Sequence, residues 1–292
     1  MSIFASATKY GIIFLLLVSL QSKAQSVKLF NYISNKVYTL HSKLLNQDRQ
    51  FYIHVPEQDS TKPMKALPVL YLLDGENHFH ILSSYIDYLS HYEIFPQIIV
   101  VGIINIDRKK DLTPSHSTTT YDGREDTTLK PSGGNEQFLQ FIETELMPYI
   151  ETNYKTTSYK ILAGHSFGGI ATINCMLTHP DMFNAYIAVS PSFWWDNNYM
   201  LKLTEAKLAK LLSLKKRFFY SDGNEGTFFH TDLLKFDSVI TNSKPKGLEY
   251  KYKNYPEETH MTEPIVAYFD ALRFILQDYK DDLEKQKKKI GN

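Results

Sequence analysis

Ser166 stands in the run Gly164-His165-Ser166-Phe167-Gly168, followed by Gly169. An alcohol at its ordinary pKa is a poor nucleophile. It attacks a carbonyl when an imidazole within hydrogen-bond reach takes its proton and a carboxylate fixes the tautomer of that imidazole. Gly-x-Ser-x-Gly is the spacing such a serine needs on a sharp strand-to-helix turn, which lifts the hydroxyl above a sheet edge. Glycine is favoured two residues before and two residues after it, because a Cβ there would strike the neighbouring strand or helix. The other two residue types follow along the chain. Asp222 and Glu225 lie in Ser221-Asp222-Gly223-Asn224-Glu225-Gly226, and His260 ends Pro256-Glu257-Glu258-Thr259-His260. Nucleophile, acid and histidine in that order can carry acyl transfer, provided backbone N–H groups hold the oxyanion.

The elements around these residues are readable. Residues 159–163 form a short apolar run that ends at Gly164, as a buried parallel strand does, and 170–177 continue as a helix. Residues 67–73 are another buried strand, stopping at Asp74-Gly75 before a helix that begins at Glu76. Residues 97–104, 186–189, 217–220 and 248–255 read as further strands, and 37–45 with 49–55 as a hairpin turning at Asn46-Gln47-Asp48. The pattern predicts an α/β fold: a mostly parallel eight-stranded sheet with helices on both faces, the α/β-hydrolase architecture. There the loop after the third strand and the residue after the serine supply the oxyanion N–H groups, so Gly75, Glu76 and Phe167 are the candidates. The acid follows the seventh strand and the histidine the eighth. Asp222 is close enough to its strand end to cap the turn at Gly223. Glu225 has the longer reach and is the favoured acid. His165 is expected to point away from the site at the elbow, and His230 comes too early in the order.

Residues 136–150 repeat Phe138, Phe141, Ile142, Leu146, Tyr149 and Ile150 at helical spacing, with Pro148 expected to kink or restart the helix. The polar segment 115–135 is expected to be a mobile wall or lid of the pocket. Ser190-Pro191-Ser192-Phe193-Trp194-Trp195 follows the sixth strand, which offers Trp194 and Trp195 as substrate contacts. Arg108, after the fourth strand, is the candidate partner for an acidic substrate group. His78 and His80 suggest metal binding, but no third ligand has fitting spacing, and no metal is expected.

The chain has 292 residues with 32 Lys+Arg against 32 Asp+Glu, which argues against nucleic acid or a membrane surface as the main partner. Lys9 precedes a short apolar stretch, 11–20, and Ser22-Lys23-Ala24 carries small residues where a signal peptidase reads. Residues 1–24 are therefore expected to be a cleaved signal peptide, 25–280 the α/β-hydrolase domain and 281–292 a charged tail. Cys175 is the single cysteine and is expected to be a small buried apolar residue.

Five segments together resemble the esterase family that includes esterase D, enterochelin and bacillibactin esterases, and feruloyl esterases. They are PVLYLLDGENHF (68–79), VVGIINIDRKKDLTP (100–114), GHSFGG (164–169), SPSFWW (190–195) and EETHMT (257–262). The resemblance covers nearly the whole mature chain. It implies ester hydrolysis without a cofactor, with Ser166 as nucleophile and His260 as base. It favours Glu225, because the family often has a carboxylate two or more residues beyond the glycine of the seventh-strand loop. Relatives commonly carry glycine after the histidine. Met261 stands there in this chain, which narrows the site. The expected function is a secreted or periplasmic serine esterase, acting on a small-molecule or polysaccharide-linked ester of feruloyl, acetyl or siderophore-lactone type. An acyltransferase of the same fold and a non-catalytic binding module are the competing readings.

Overall fold

The computed structural model describes residues 36–208 and 215–277. The expected signal peptide and the charged tail lie outside the described residues. β1 (Val37–Ser42) and β2 (Gln47–His54) form the antiparallel hairpin. The turn is earlier than expected. Ser42 already pairs with Gln47, so 43–46 make the connection and Asp48 belongs to β2. Asn46 takes the left-handed conformation, φ 49°, which its short polar side chain tolerates.

Six more strands complete the sheet: β3 (Leu67–Leu72), β4 (Ile99–Ile103), β5 (Thr156–His165), β6 (Ala185–Val189), β7 (Lys216–Gly223) and β8 (Leu248–Tyr255). Their order is β1-β2-β4-β3-β5-β6-β7-β8, and every pairing beyond β2–β4 is parallel. All residues of β3, β4 and β6 are buried, as in strands covered on both faces. Alternation along them divides the core. Leu70 and Leu72 face one apolar layer, whereas Val69 and Tyr71 face the other.

The helices are α1 (Gly75–His91), α2 (Arg108–Leu112), α3 (Asn135–Phe141), α4 (Met147–Asn153), α5 (Phe167–Thr178), α6 (Trp195–Leu208), α7 (Thr227–Ser243) and α8 (Glu263–Ile275). Apolar residues of α1 and α8 fill one layer, and those of α3 to α7 fill the other. A wide π turn, Ile142–Leu146, joins α3 to α4 just before Pro148. Proline lacks an N–H and its ring crowds the carbonyl four residues back, so the helix widens there instead of running on. Cys175 is fully buried in α5.

One buried ion pair ties the hairpin to the site. Arg49 of β2 and Asp111 of α2 are both buried, with Arg49 Nη1 2.8 Å from Asp111 Oδ2. The guanidinium lies 5.1 Å from the ring centre of Phe138 and 5.6 Å from that of Phe141. Asp111→Ala would leave a buried cation unpaired, and is expected to cost about 3–5 kcal/mol in urea unfolding. A loss under about 1 kcal/mol would mean that the pair contributes nothing net.

Candidate active site

β5 delivers Ser166 to the carboxyl end of the sheet, and α5 begins at the next residue. Ser166 has φ 62° and ψ −117°, a region that non-glycine residues occupy only under strain of about 1–3 kcal/mol. Two backbone bonds hold it there. Its N–H donates to the Val189 carbonyl at 2.9 Å, and its carbonyl accepts from the Ser192 N–H at 3.2 Å. The glycines are needed unequally. A Cβ on Gly164 would stand 2.3 Å from the Gly168 carbonyl oxygen, and one on Gly169 would stand 2.9 Å from Pro191 Cα. On Gly168 it would meet nothing nearer than Asp74 Oδ2 at 3.2 Å, so the stricter requirement is at 164 and 169.

The oxyanion candidates sit at two helix starts. Phe167 is the first residue of α5 and Gly75 the first of α1, with Glu76 next. N–H groups in a first helical turn have no acceptor within their own helix, and the helix dipole makes that end attractive to negative charge. Asp74, in the left-handed region at φ 53°, makes the turn into α1. A Cβ on Gly75 would come within 2.4 Å of the Gly102 backbone, so the close approach of α1 to β4 requires glycine. The Glu76 carboxylate is occupied by Asn105, whose Nδ2 donates to Oε1 at 2.7 Å.

His260 Nδ1 lies 2.8 Å from Glu225 Oε2. The ring N–H does not point straight at that oxygen, so this is a close contact rather than an aligned hydrogen bond. Catalytic contacts often tighten only when substrate binds. With Nδ1 turned to the carboxylate, Nε2 is the nitrogen left for the serine proton. Asp222 is engaged elsewhere. Its Oδ1 accepts from Tyr252 Oη and Asn254 Nδ2, each at 2.8 Å, and its Oδ2 lies 2.5 Å from His230 Nδ1. The Ser166 hydroxyl itself pairs with Ser192 Oγ at 3.1 Å.

His165 departs from expectation. Its ring lies 4.4 Å from that of His260 between centres, and it lines the same cavity as Ser166. Burial above all, with His260, His78 and Arg108 nearby, pushes its pKa down to about 2, so it packs against the His260 imidazole as a neutral ring.

The cavity measures about 420 Å³. Ser166, His165 and His260 meet there with Asp74, Asn77 and Arg108, and α1 and α8 add Ile81, Pro264, Ile265 and Tyr268. Met261 is exposed at its edge. Three expectations need correction. Arg108 lines the cavity, but its guanidinium is already paired with a carboxylate of the protein. Nε donates to Asp74 Oδ1 at 2.6 Å, and Nη2 donates to Asp74 Oδ2 at 2.9 Å and to the His165 carbonyl at 3.2 Å. It braces the elbow strand instead of waiting for an acidic substrate. Trp195 is fully buried, with Nε1 donating to the Ser115 carbonyl, and Trp194 packs on Phe167 and Tyr121; neither lines the cavity. The segment 115–135 contributes no lining residue. It is fastened by a bridge between Thr119 and Glu125 and by Ser132 bonding Ser117.

Sequence reasoning passed over Ser192, Asp74, Asn77 and Tyr268. Asp74 and Ser192 lie inside segments already singled out, so nearness to the strand ends was an available signal. Tyr268 sits in the middle of α8 and carried none. Among the described residues, no three His, Cys, Asp or Glu side chains assemble as a metal site.

Comparison with known proteins bears on the fold and the family. The chain is 31% identical over 172 residues to ferri-bacillibactin esterase BesA of Bacillus subtilis, covering 55% of this chain and 60% of that one. It is 25% identical over 224 residues to apo-salmochelin esterase of Escherichia coli, covering 73% and 70%. The chain thus spans about three-fifths of the length of the Bacillus relative. The crystal structure of an IroE-like serine hydrolase from Shewanella oneidensis superposes with a TM-score of 0.78 at 34% identity, covering 82% of this chain and 78% of that one. The fold is that of an α/β-hydrolase, and, with the family model described as "Putative esterase" matching residues 42–267, the chain belongs to that esterase family.

Proposed function

We propose that the protein is a serine hydrolase of carboxylic esters, with Ser166 as nucleophile, His260 as general base and acid, and Glu225 as the carboxylate on the imidazole. One observation carries the reading: Ser166 on its strained turn and His260, 2.8 Å from Glu225, open into the same cavity. The serine hydroxyl turns from Ser192 to His260 and attacks the carbonyl carbon as the imidazole takes its proton. The Phe167 N–H and that of Gly75 or Glu76 hold the oxyanion. The imidazolium then protonates the leaving alcohol, and water repeats the sequence to free the acid and the serine. No cofactor is required.

A siderophore-lactone type of ester is the substrate class best supported, since relatives are named for bacillibactin and salmochelin. Ile81, Pro264, Ile265 and Tyr268 form an apolar wall suited to an aryl arm, with Asp74, Asn77 and Arg108 as the polar side. The protein acts in the periplasm or outside the cell after cleavage behind Ala24, without a nucleic-acid or membrane partner. Among the described residues, no helix is long and apolar enough to cross a membrane.

The test is a panel of p-nitrophenyl acetate, methyl ferulate and a catecholate trilactone. The trilactone is expected to show the highest kcat/KM, by about tenfold or more, the worth of roughly 1.4 kcal/mol of transition-state binding. Preference for the ferulate would move the substrate class, product formed only with an added alcohol acceptor would make the protein an acyltransferase, and turnover of none would end the esterase reading. N-terminal sequencing of the exported protein is expected to begin at Gln25.

A further inference from the structure

Ser190 directly follows β6 in a strained conformation, φ 42°, with its N–H donating to the Ser221 carbonyl at 2.9 Å. Its hydroxyl lies within hydrogen-bond reach of two carboxyl groups, Glu225 Oε1 and Glu263 Oε2. A hydroxyl has one proton to donate, and ionised carboxylates only accept. If both glutamates were ionised, one would face the serine oxygen across a contact with no proton in it. One of the two must therefore carry a proton and donate it to Ser190. Glu225 is the partner of His260. Glu263 is fully buried at the start of α8, and its Oε1 makes no hydrogen bond of good geometry. The Ser221 hydroxyl nearby makes no well-aligned bond either, and a neutral carbonyl oxygen tolerates such poor pairing far better than a carboxylate oxygen does.

We propose that Glu263 is a positioning residue for the reaction: it holds a proton, donates it to Ser190 Oγ, and thereby turns the Ser190 hydroxyl onto Glu225, keeping that carboxylate against His260. The donors then run one way, from Glu263 to Ser190 to Glu225, and the His260 N–H meets Glu225 from the other side. The role rests on the serine-esterase reading above. The surroundings agree with the proton count. Burial drives the Glu263 pKa up to about 7 against the pull of the Ser190 and Ser221 hydroxyls, and the charges of Glu225 and Asp222 add to the rise. Tyr252 and Tyr255 of β8 and Tyr268 of α8 also feel its charge. The Glu263 N–H also donates to the Thr259 carbonyl at 2.9 Å, in the loop that carries His260.

The experiment follows p-nitrophenyl acetate hydrolysis by the full chain and two variants across pH 5.5–9.5. Wild type should lose kcat above about pH 7, because ionised Glu263 then competes with Glu225 for the Ser190 proton. Glu263→Met, which cannot donate, should lower kcat at neutral pH about 3- to 10-fold with KM unchanged, the worth of one hydrogen bond. Glu263→Gln, whose amide donates at every pH, should rescue that loss and lack the alkaline decline. A thermal readout needs no turnover. The native state keeps a proton that the unfolded chain has given up, so wild-type stability falls as pH rises from the ordinary glutamate range to about 7 and is level above that. The Tm gap in favour of Glu263→Gln should therefore open across that window and then stay constant. An alkaline limb and a Tm curve shared by wild type and Glu263→Gln would overturn the proposal, even if Glu263→Met fails to fold. A Tm gap in a protein that hydrolyses no ester would remove the positioning role through failure of the esterase reading, and leave the proton on Glu263.

Discussion

Ser166→Ala is expected to lower kcat for ester hydrolysis by about 10⁵-fold or more while the protein stays folded. The size of the effect follows from the kind of catalysis. Without the oxygen there is no acyl-enzyme, and what remains is the help that the oxyanion donors and binding give to direct attack by water. The substitution should not harm folding, since it removes one atom and one hydroxyl–hydroxyl contact with Ser192. The main-chain bonds to Val189 and from Ser192 that hold the turn are untouched. A fluorophosphonate probe should label the wild type at Ser166 and leave the alanine variant unlabelled. Near-normal turnover by a purified, natively folded variant would move the nucleophile elsewhere.

Glu225→Gln and Asp222→Asn should separate cleanly. The amide at 225 keeps the shape but loses the charge opposite His260 Nδ1, and it can present an N–H to that nitrogen, which favours the wrong tautomer. The expected loss in kcat approaches 10⁴-fold, with little change in KM. Asp222 accepts from Tyr252 and Asn254 and faces His230, so its carboxylate organises the β7–β8 edge and not the imidazole. Asp222→Asn should cost stability, about 1–3 kcal/mol from the buried acceptor it disturbs, with turnover reduced far less. The reverse ranking would assign the acid to Asp222. Small losses in both variants would show that Ser166 and His260 suffice as a dyad.

Much of the architecture was legible in local pattern. The apolar runs that became β3, β4 and β6 are short and buried on both faces, which is what such runs encode. The hairpin was legible but its register was not. Moving the turn from 46–48 to 43–46 depends on which residues of β1 and β2 meet, a long-range choice. The serine was legible because its requirement is local: the turn at Ser166 forbids a Cβ at Gly164, and that constraint is written within five residues.

The partners of side chains were another matter. Position after the fourth strand made Arg108 look like a cation open to substrate, and position after the sixth made Trp195 look like a pocket wall. Asp74, 34 residues away in the chain, takes the guanidinium, and Ser115, 80 residues away, takes the indole N–H. The same reason hid Glu263. In sequence it is an ordinary acidic residue at a helix start, where it would be expected to face water and stay ionised. Only the packing of α8 against the end of β6 buries it beside Ser190 and makes its proton part of the site. The sequence by itself singled out Ser166 and His260 as candidates and the strands that carry them, because backbone sterics and apolar alternation act between near neighbours. The tertiary structure alone decided which carboxyl meets His260, which one is sequestered by its neighbours and which one keeps a proton, because charge and desolvation depend on groups that the chain brings together only by folding.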